Sequence, residues 1–316
     1  MAPQRQSETL KPRALRPGGT VGVVAPASSI VRADFEAGCD ALRRMGYKVV
    51  FEESIFDRDL YFAGSAPRRA REMESIFTRD DVDAILCARG GYGANYLLPL
   101  LDVKALAAHP KPFVGYSDVT SLMTYLYDSI GLVTFHGPMV AKDFANKDGI
   151  DPGSWAAALT GGIPDFNFVA DSPMEPLVQG SCEGVLYGGC LSMLAASLGT
   201  PYEIHTEGTT LFIEDIATKP YQVDRMLMQL KLAGKLKGVR GIIFGEMLDC
   251  IQPGNQRYTL QEVITRIMGD LGIPVAYGLR SGHVSRSNIT LPIGVQARLE
   301  VNDSNVLLTI TETPAT

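Results

Sequence analysis

From Thr20 to about Pro138 the sequence alternates between short strand-like runs and helix-like runs, and nothing else in it restricts the fold as much. VGVVAP leads to ADFEAGCDALRRMG, YKVVFEE to RRAREMESIFTR, and VDAILCA to a helical stretch after Gly93. KPFVGY then leads to a helix whose apolar face is Val119, Leu122, Met123 and Leu126, and VTFHGP closes the series. Strands joined by helices in this way build right-handed βαβ units and a parallel sheet covered on both faces, so the fold class is α/β. In such sheets ligands bind beyond the C-terminal ends of the strands. The residues that follow each strand are therefore where chemistry is expected.

Residues 141–180 break the pattern with AKDFANKDGIDPGSW, ALTGGIPDFN and ADSPMEP, which are rich in Gly, Pro, Asp and Asn. Strand and helix signals restart at EGVLYGG. A chain of 316 residues is too long for most single cores. The expected organisation is an N-terminal domain over 1–145, a linker over 146–180 and a C-terminal domain over 181–316. With 46% hydrophobic residues, 20% charged and a net charge of -6, nothing draws the chain toward nucleic acid or an anionic membrane. The expected partner is a small molecule or peptide. The N-terminal MAPQRQSETLKPRALRPGG has basic residues but no apolar signal core, which predicts a cytoplasmic location. The five cysteines are scattered and form no C-x-x-C, so no disulfide framework, metal or cofactor is expected.

Ser117, in FVGYSDVTSL, falls where a strand stops and a helix starts. It can cap the helix, the commoner role, or be a nucleophile on a tight strand-to-helix turn. ARGGYG follows the preceding strand and is not a dinucleotide fingerprint: the sixth residue from Gly91 is Tyr96, and Phe113 stands where the ribose acid belongs. It is either a turn or a loop whose backbone N–H groups approach an oxyanion. Glu214, in TTLFIEDI, shares a strand face with Phe212, so it either ends the strand in solvent or orients an imidazole. Of four histidines, His136 in TFHGP and His283 in the SGHVSRSN loop can reach a cleft. The residues alone leave that choice open.

Taken together, GVVAPAS, ARGGYGANYLLPLLD, FVGYSDVTSL, TFHGP, GGCLSMLAASLGTPYE, LFIEDI with PYQVDRML, and GHV with NITLPIG resemble the LD-carboxypeptidase family of serine peptidases. The resemblance runs from about Gly18 to beyond Gly294. It implies a flavodoxin-like parallel-sheet N-terminal domain, a smaller C-terminal β/α domain, an active site between them and a homodimer. It also implies a catalytic set of Ser117, Glu214 and His283, with the backbone N–H groups of Gly91 and Asp118 as the oxyanion hole. Arg89 and Tyr116 are the expected substrate contacts, Arg89 as a cation for a terminal carboxylate or else as half of a structural ion pair. The activity implied is hydrolysis of an L,D-peptide bond, releasing terminal D-Ala from a murein-derived peptide during cell-wall recycling. The alternatives are an immunity-type hydrolase of an acyl-sulfamoyl or aminoacyl-nucleotide toxin, and a non-catalytic two-domain binding module. Cys190 departs from the family, which often has asparagine there, and the missing amide bears on specificity.

Overall fold

The structure is a computed structural model that describes residues 8–161, 174–252, 254 and 257–316. Five strands, β1 (Thr20–Val24), β2 (Lys48–Val50), β3 (Ala84–Cys87), β4 (Phe113–Gly115) and β5 (Thr134–His136), form a parallel sheet in the order β2-β1-β3-β4-β5. This is the flavodoxin-like order. Helices α1 (Arg32–Arg44), α2 (Ala66–Thr78), α3 (Val103–Ala108) and α4 (Thr120–Ile130) make the crossovers. The helix expected after Gly93 is a 3₁₀ turn over Ala94–Tyr96 followed by α3, which Asp102 caps by accepting from Lys104 N and Ala105 N.

The linker expected over 146–180 contains regular structure. Asp151 accepts from Ser154 N at 2.8 Å and Pro152 occupies the first turn, starting α5 (Pro152–Leu159). Asp-Pro reads as a turn in one dimension, but a preset φ and a spare N–H acceptor also begin a helix. Trp155 buries itself from α5, its ring 5.2 Å from Phe144. Residues 162–173 of that linker lie outside the described residues.

The second sheet has the order β13-β12-β7-β8-β9-β10-β6. Its centre is parallel: β7 (Gly180–Cys190), β8 (Thr209–Glu214), β9 (Gly241–Gly245) and β10 (Val275–Leu279). Antiparallel β6 (Glu175–Val178) covers one edge, and β12 (Gln296–Val301) with β13 (Val306–Ile310) extends the other. Helices α6 (Leu191–Ala196), α7 (Pro220–Leu232) and α8 (Leu260–Met268) connect these strands.

Two features bind the halves together. β11 (Leu291–Ile293) leaves the second half and pairs antiparallel with β5, Leu291 opposite His136. Cys190, at the end of β7, donates its N–H to Thr120 Oγ1 in α4 at 3.0 Å. Buried residues of both sheets form one continuous apolar cluster. Among the described residues no helix is long and apolar enough to cross a membrane.

Candidate active site

Ser117 follows β4 with φ +63, a left-handed conformation uncommon for a residue bearing a Cβ. The chain runs from extended Tyr116 through this residue into a 3₁₀ turn (Ser117–Val119) and then α4. The helix-capping role is not the one it takes: neither that turn nor α4 has a side-chain cap. Strain held at a strand-to-helix turn is how a fold lifts a hydroxyl out of the sheet for reaction.

The glycine loop after β3 packs directly on this serine. A Cβ at Gly90 would come within 2.8 Å of Ser117 Cβ and 3.0 Å of its Oγ, so only glycine allows the approach. Gly91 has φ +111, and a side chain there would run into Ser28. Three polar groups hold the loop. Ser28 Oγ accepts from Tyr92 N at 3.1 Å, and Asp118 Oδ2 accepts from Ala94 N at 2.7 Å. Buried Arg69, from α2, donates to the carbonyls of Gly93 at 2.8 Å and Pro26, with its guanidinium 4.9 Å from the Phe62 ring centroid.

Glu214 ends β8 with no exposed surface, and Phe212 on the same strand face packs 5.1 Å from the His136 ring. Its Oε2 accepts from His283 twice, from the ring Nδ1 at 2.7 Å and the backbone N at 3.0 Å. A carboxylate only accepts, so Nδ1 carries the proton and Nε2 keeps its lone pair. Burial alone would push the Glu214 carboxyl up, but the attraction of His283 and His136 and the hydrogen bonds from His283 outweigh it and hold it well below the ordinary carboxylate range. The neighbouring Asp215 is spent on structure, accepting from Ser192 N and Oγ and from Thr218 Oγ1.

His283 is fixed rather than mobile. Its loop is tied at Gly282 N to Asn288 Oδ1 (2.9 Å) and at Ser285 N and Oγ to Glu246 Oε2 (2.8 and 2.9 Å). The Tyr116 ring meets the His283 ring edge-on at 5.1 Å. An imidazole tied to a carboxylate on one nitrogen can serve as a general base on the other, and a strained serine beside glycine backbone can serve as nucleophile.

The expected substrate contacts fall differently. Tyr116 is fully buried; its hydroxyl donates to Asp143 at 3.3 Å and its ring supports both histidines, so it packs beneath the site. Arg89 is exposed on the glycine loop, its partner the carbonyl of Ser29 at 3.3 Å rather than a carboxylate. Cys190 is buried next to Glu214 in the β7–β8 register, and burial, reinforced by Glu214 and Asp215, pushes its thiol well up. It is an unreactive thiol there.

Asp118, the residue after the serine, also carries a stability signature. Burial pushes its carboxyl up to about 6, against the hydrogen bond from Ala94 and the charge of Arg69. The folded value lies above the unfolded one, near 4, so the folded state binds more protons between the two. Stability from this group is present at low pH and falls as pH rises from about 4 to about 6. Asp118→Asn should flatten that part of the pH–stability curve by on the order of 3 kcal/mol, measured by urea unfolding at several pH values. An unchanged curve would show that the carboxylate stays ionised in its buried site.

With this geometry in view, the comparisons with known proteins are specific. The family model described as LD-carboxypeptidase N-terminal domain matches residues 21–137, and the one described as LD-carboxypeptidase C-terminal domain matches residues 183–299. The chain belongs to the LD-carboxypeptidase family. Its relatives include the "Probable murein peptide carboxypeptidase" of Bacillus subtilis, 38% identical over 302 residues and 94% of each chain. The microcin C7 self-immunity protein MccF of Escherichia coli is 30% identical over 338 residues, spanning 96% of this chain and 97% of its own. The solved muramoyltetrapeptide carboxypeptidase of Oxalobacter formigenes superposes with a TM-score of 0.82 at 31% identity, covering 94% of this chain and 100% of the other.

Within the LD-carboxypeptidase chain, sequence reading missed Ser28, Arg69, Thr120 and Ser281 as supports of the site. Arg69 lies in the first turn of α2 among other charged residues and Ser28 lies in an ordinary loop, so neither carries a local signal. On sequence alone His136 stands as a rival to His283. The structure brings both to one carboxylate, His136 Nε2 lying 3.7 Å from Glu214 Oε1.

Proposed function

We propose that this LD-carboxypeptidase-family protein is a cytoplasmic, homodimeric serine carboxypeptidase that removes the terminal D-Ala from murein tetrapeptide in cell-wall recycling. The observation that carries the reading is the 2.7 Å bond from His283 to a fully buried Glu214, with the His283 ring against Tyr116, the residue before a left-handed serine at a strand-to-helix turn. Ser117 Oγ attacks the scissile carbonyl carbon while His283 Nε2 takes its proton. The oxyanion is met by the N–H groups of Gly91 and Asp118, and Glu214 stabilises the imidazolium. The C–N bond then breaks, His283 returns the proton to the amine of the leaving D-Ala, and water hydrolyses the acyl-enzyme by the same steps. In this reading Arg89, exposed on the glycine loop, is the cation that binds the terminal carboxylate.

The test is stereochemical. A site that fixes both the terminal carboxylate and the Cα methyl cannot keep both when that Cα is inverted. Losing a charge-assisted hydrogen bond of roughly 1.5 to 3 kcal/mol lowers kcat/KM by about one to two decades. Tetrapeptide ending in D-Ala should be cleaved at least about tenfold faster than its L-Ala epimer, followed by mass spectrometry of the released amino acid. Equal rates would sink the proposal.

A second reading rests on likeness to MccF, which superposes with TM-score 0.88 at 28% identity in a structure solved with aspartyl sulfamoyl adenosine. An aminoacyl-sulfamoyl nucleotide in the same assay distinguishes the two. Hydrolysis of the nucleotide in preference to tetrapeptide would favour the immunity-type function.

A further inference from the structure

Glu214 has two carboxylate oxygens, and His283 uses one of them. Oε2 accepts from the His283 ring and backbone, whereas Oε1 is buried with no hydrogen-bond partner among the described residues. Facing it at 3.7 Å is His136 Nε2, also buried and also without a hydrogen bond there. Two polar atoms stranded together inside apolar protein are costly, and a proton on Nε2 turns their contact into an ion pair. Nothing in the serine mechanism above employs His136.

The other end of the ring fixes the proton on Nδ1. His136 Nδ1 lies 2.9 Å from Ser281 Oγ, which in turn lies 3.1 Å from the Ile289 carbonyl and 3.2 Å from that of His136 itself. A serine has one proton, and both carbonyls compete for it, so the hydroxyl lone pair is left to accept from Nδ1–H. The ring is boxed in by Phe212, at 5.1 Å, and Tyr116, at 5.8 Å. Gly282 threads the remaining gap: a Cβ there would sit 2.7 Å from both Glu214 Cδ and His136 Cε1. The groups around His136 that titrate or carry charge are Glu214 on β8, His283 in the loop after β10, and Tyr116 after β4. Beyond Tyr116 lie Asp143, bonded to its hydroxyl, and Lys142, over its ring.

We infer that His136 is a positioning residue, protonated on both ring nitrogens, whose Nε2–H holds Glu214 Oε1 and so keeps Oε2 on His283. The inference rests on the proposed serine mechanism. It gives Glu214 a cation on one side and the working imidazole on the other. Removing that cation leaves the carboxylate charge to His283 alone, which then binds its proton more tightly.

Two variants and one spectrum test it. His136→Leu removes the donor, while His136→Gln returns an amide N–H near the position of Nε2. His136→Leu should lower kcat about ten- to a hundred-fold with KM little changed, and should move the acidic limb of the kcat/KM profile to higher pH. His136→Gln should recover most of kcat. Equal losses in both variants with an unmoved limb would reduce His136 to packing and overturn the inference. Nitrogen-15 NMR of the wild-type imidazoles reads the same point without substrate: a protonated His136 Nε2, perturbed in Glu214→Gln, is expected, and an unprotonated Nε2 would overturn it. If wild-type protein fails to cleave tetrapeptide, the proposed function falls while the spectrum still decides the role of His136.

Discussion

Ser117→Ala should abolish turnover of tetrapeptide, lowering kcat by on the order of a million-fold, the loss seen when the nucleophile of a serine triad is removed. The fold should be unaffected. Alanine and serine both bear a Cβ, so the strain at φ +63 is the same in each, and no cap is lost because Ser117 makes none. The unfolding free energy should therefore change by less than about 1 kcal/mol. Ser117→Gly sharpens the result. Glycine adopts a positive φ without cost, so this variant should be as inactive as alanine yet more stable than wild type by on the order of 1 kcal/mol. A folded Ser117→Ala protein with near wild-type kcat would remove Ser117 from the mechanism. A destabilised Ser117→Gly would show that the turn is not strained.

Glu214→Gln should leave Ser117 and His283 in place and still cost on the order of 10⁴ in kcat. The glutamine oxygen can accept the two His283 N–H bonds that Oε2 accepts now, so the loop stays docked. What is lost is the negative charge. When His283 takes the serine proton it becomes an imidazolium inside a water-poor site, and a neutral amide does not stabilise it. KM should move little, since Glu214 is fully buried and its bonds go to protein. The wild-type carboxyl, held well below its usual range, stays ionised in mild acid. A loss below tenfold would mean that Glu214 serves packing, with the imidazolium stabilised elsewhere.

Much of this architecture was legible in one dimension for a simple reason. Strand and helix periodicity is local, and a parallel sheet places the end of every strand at the same edge, so the loops at Gly90–Gly91, Ser117 and His136 had to share that edge whatever their side chains did. Glu214 was likewise marked by alternation with Phe212 along one strand. Hidden in the same sequence were α5, because Asp-Pro signals both a turn and a helix start, and β11, because three residues carry too little period to show which sheet they join.

The chemistry depended on contacts that no local pattern encodes. Sequence determined the α/β class, the strand-end loops and a short roster of candidate side chains. Tertiary structure decided how that roster is wired: His136 and His283 share Glu214 instead of competing for it, Tyr116 turns inward to Asp143, and Arg69 reaches from α2 to the glycine loop. Each of those contacts joins chain segments through the cost of burying an unpaired polar atom. That cost exists only once the two domains close and exclude water, so it leaves no trace in the spacing of residues along the chain.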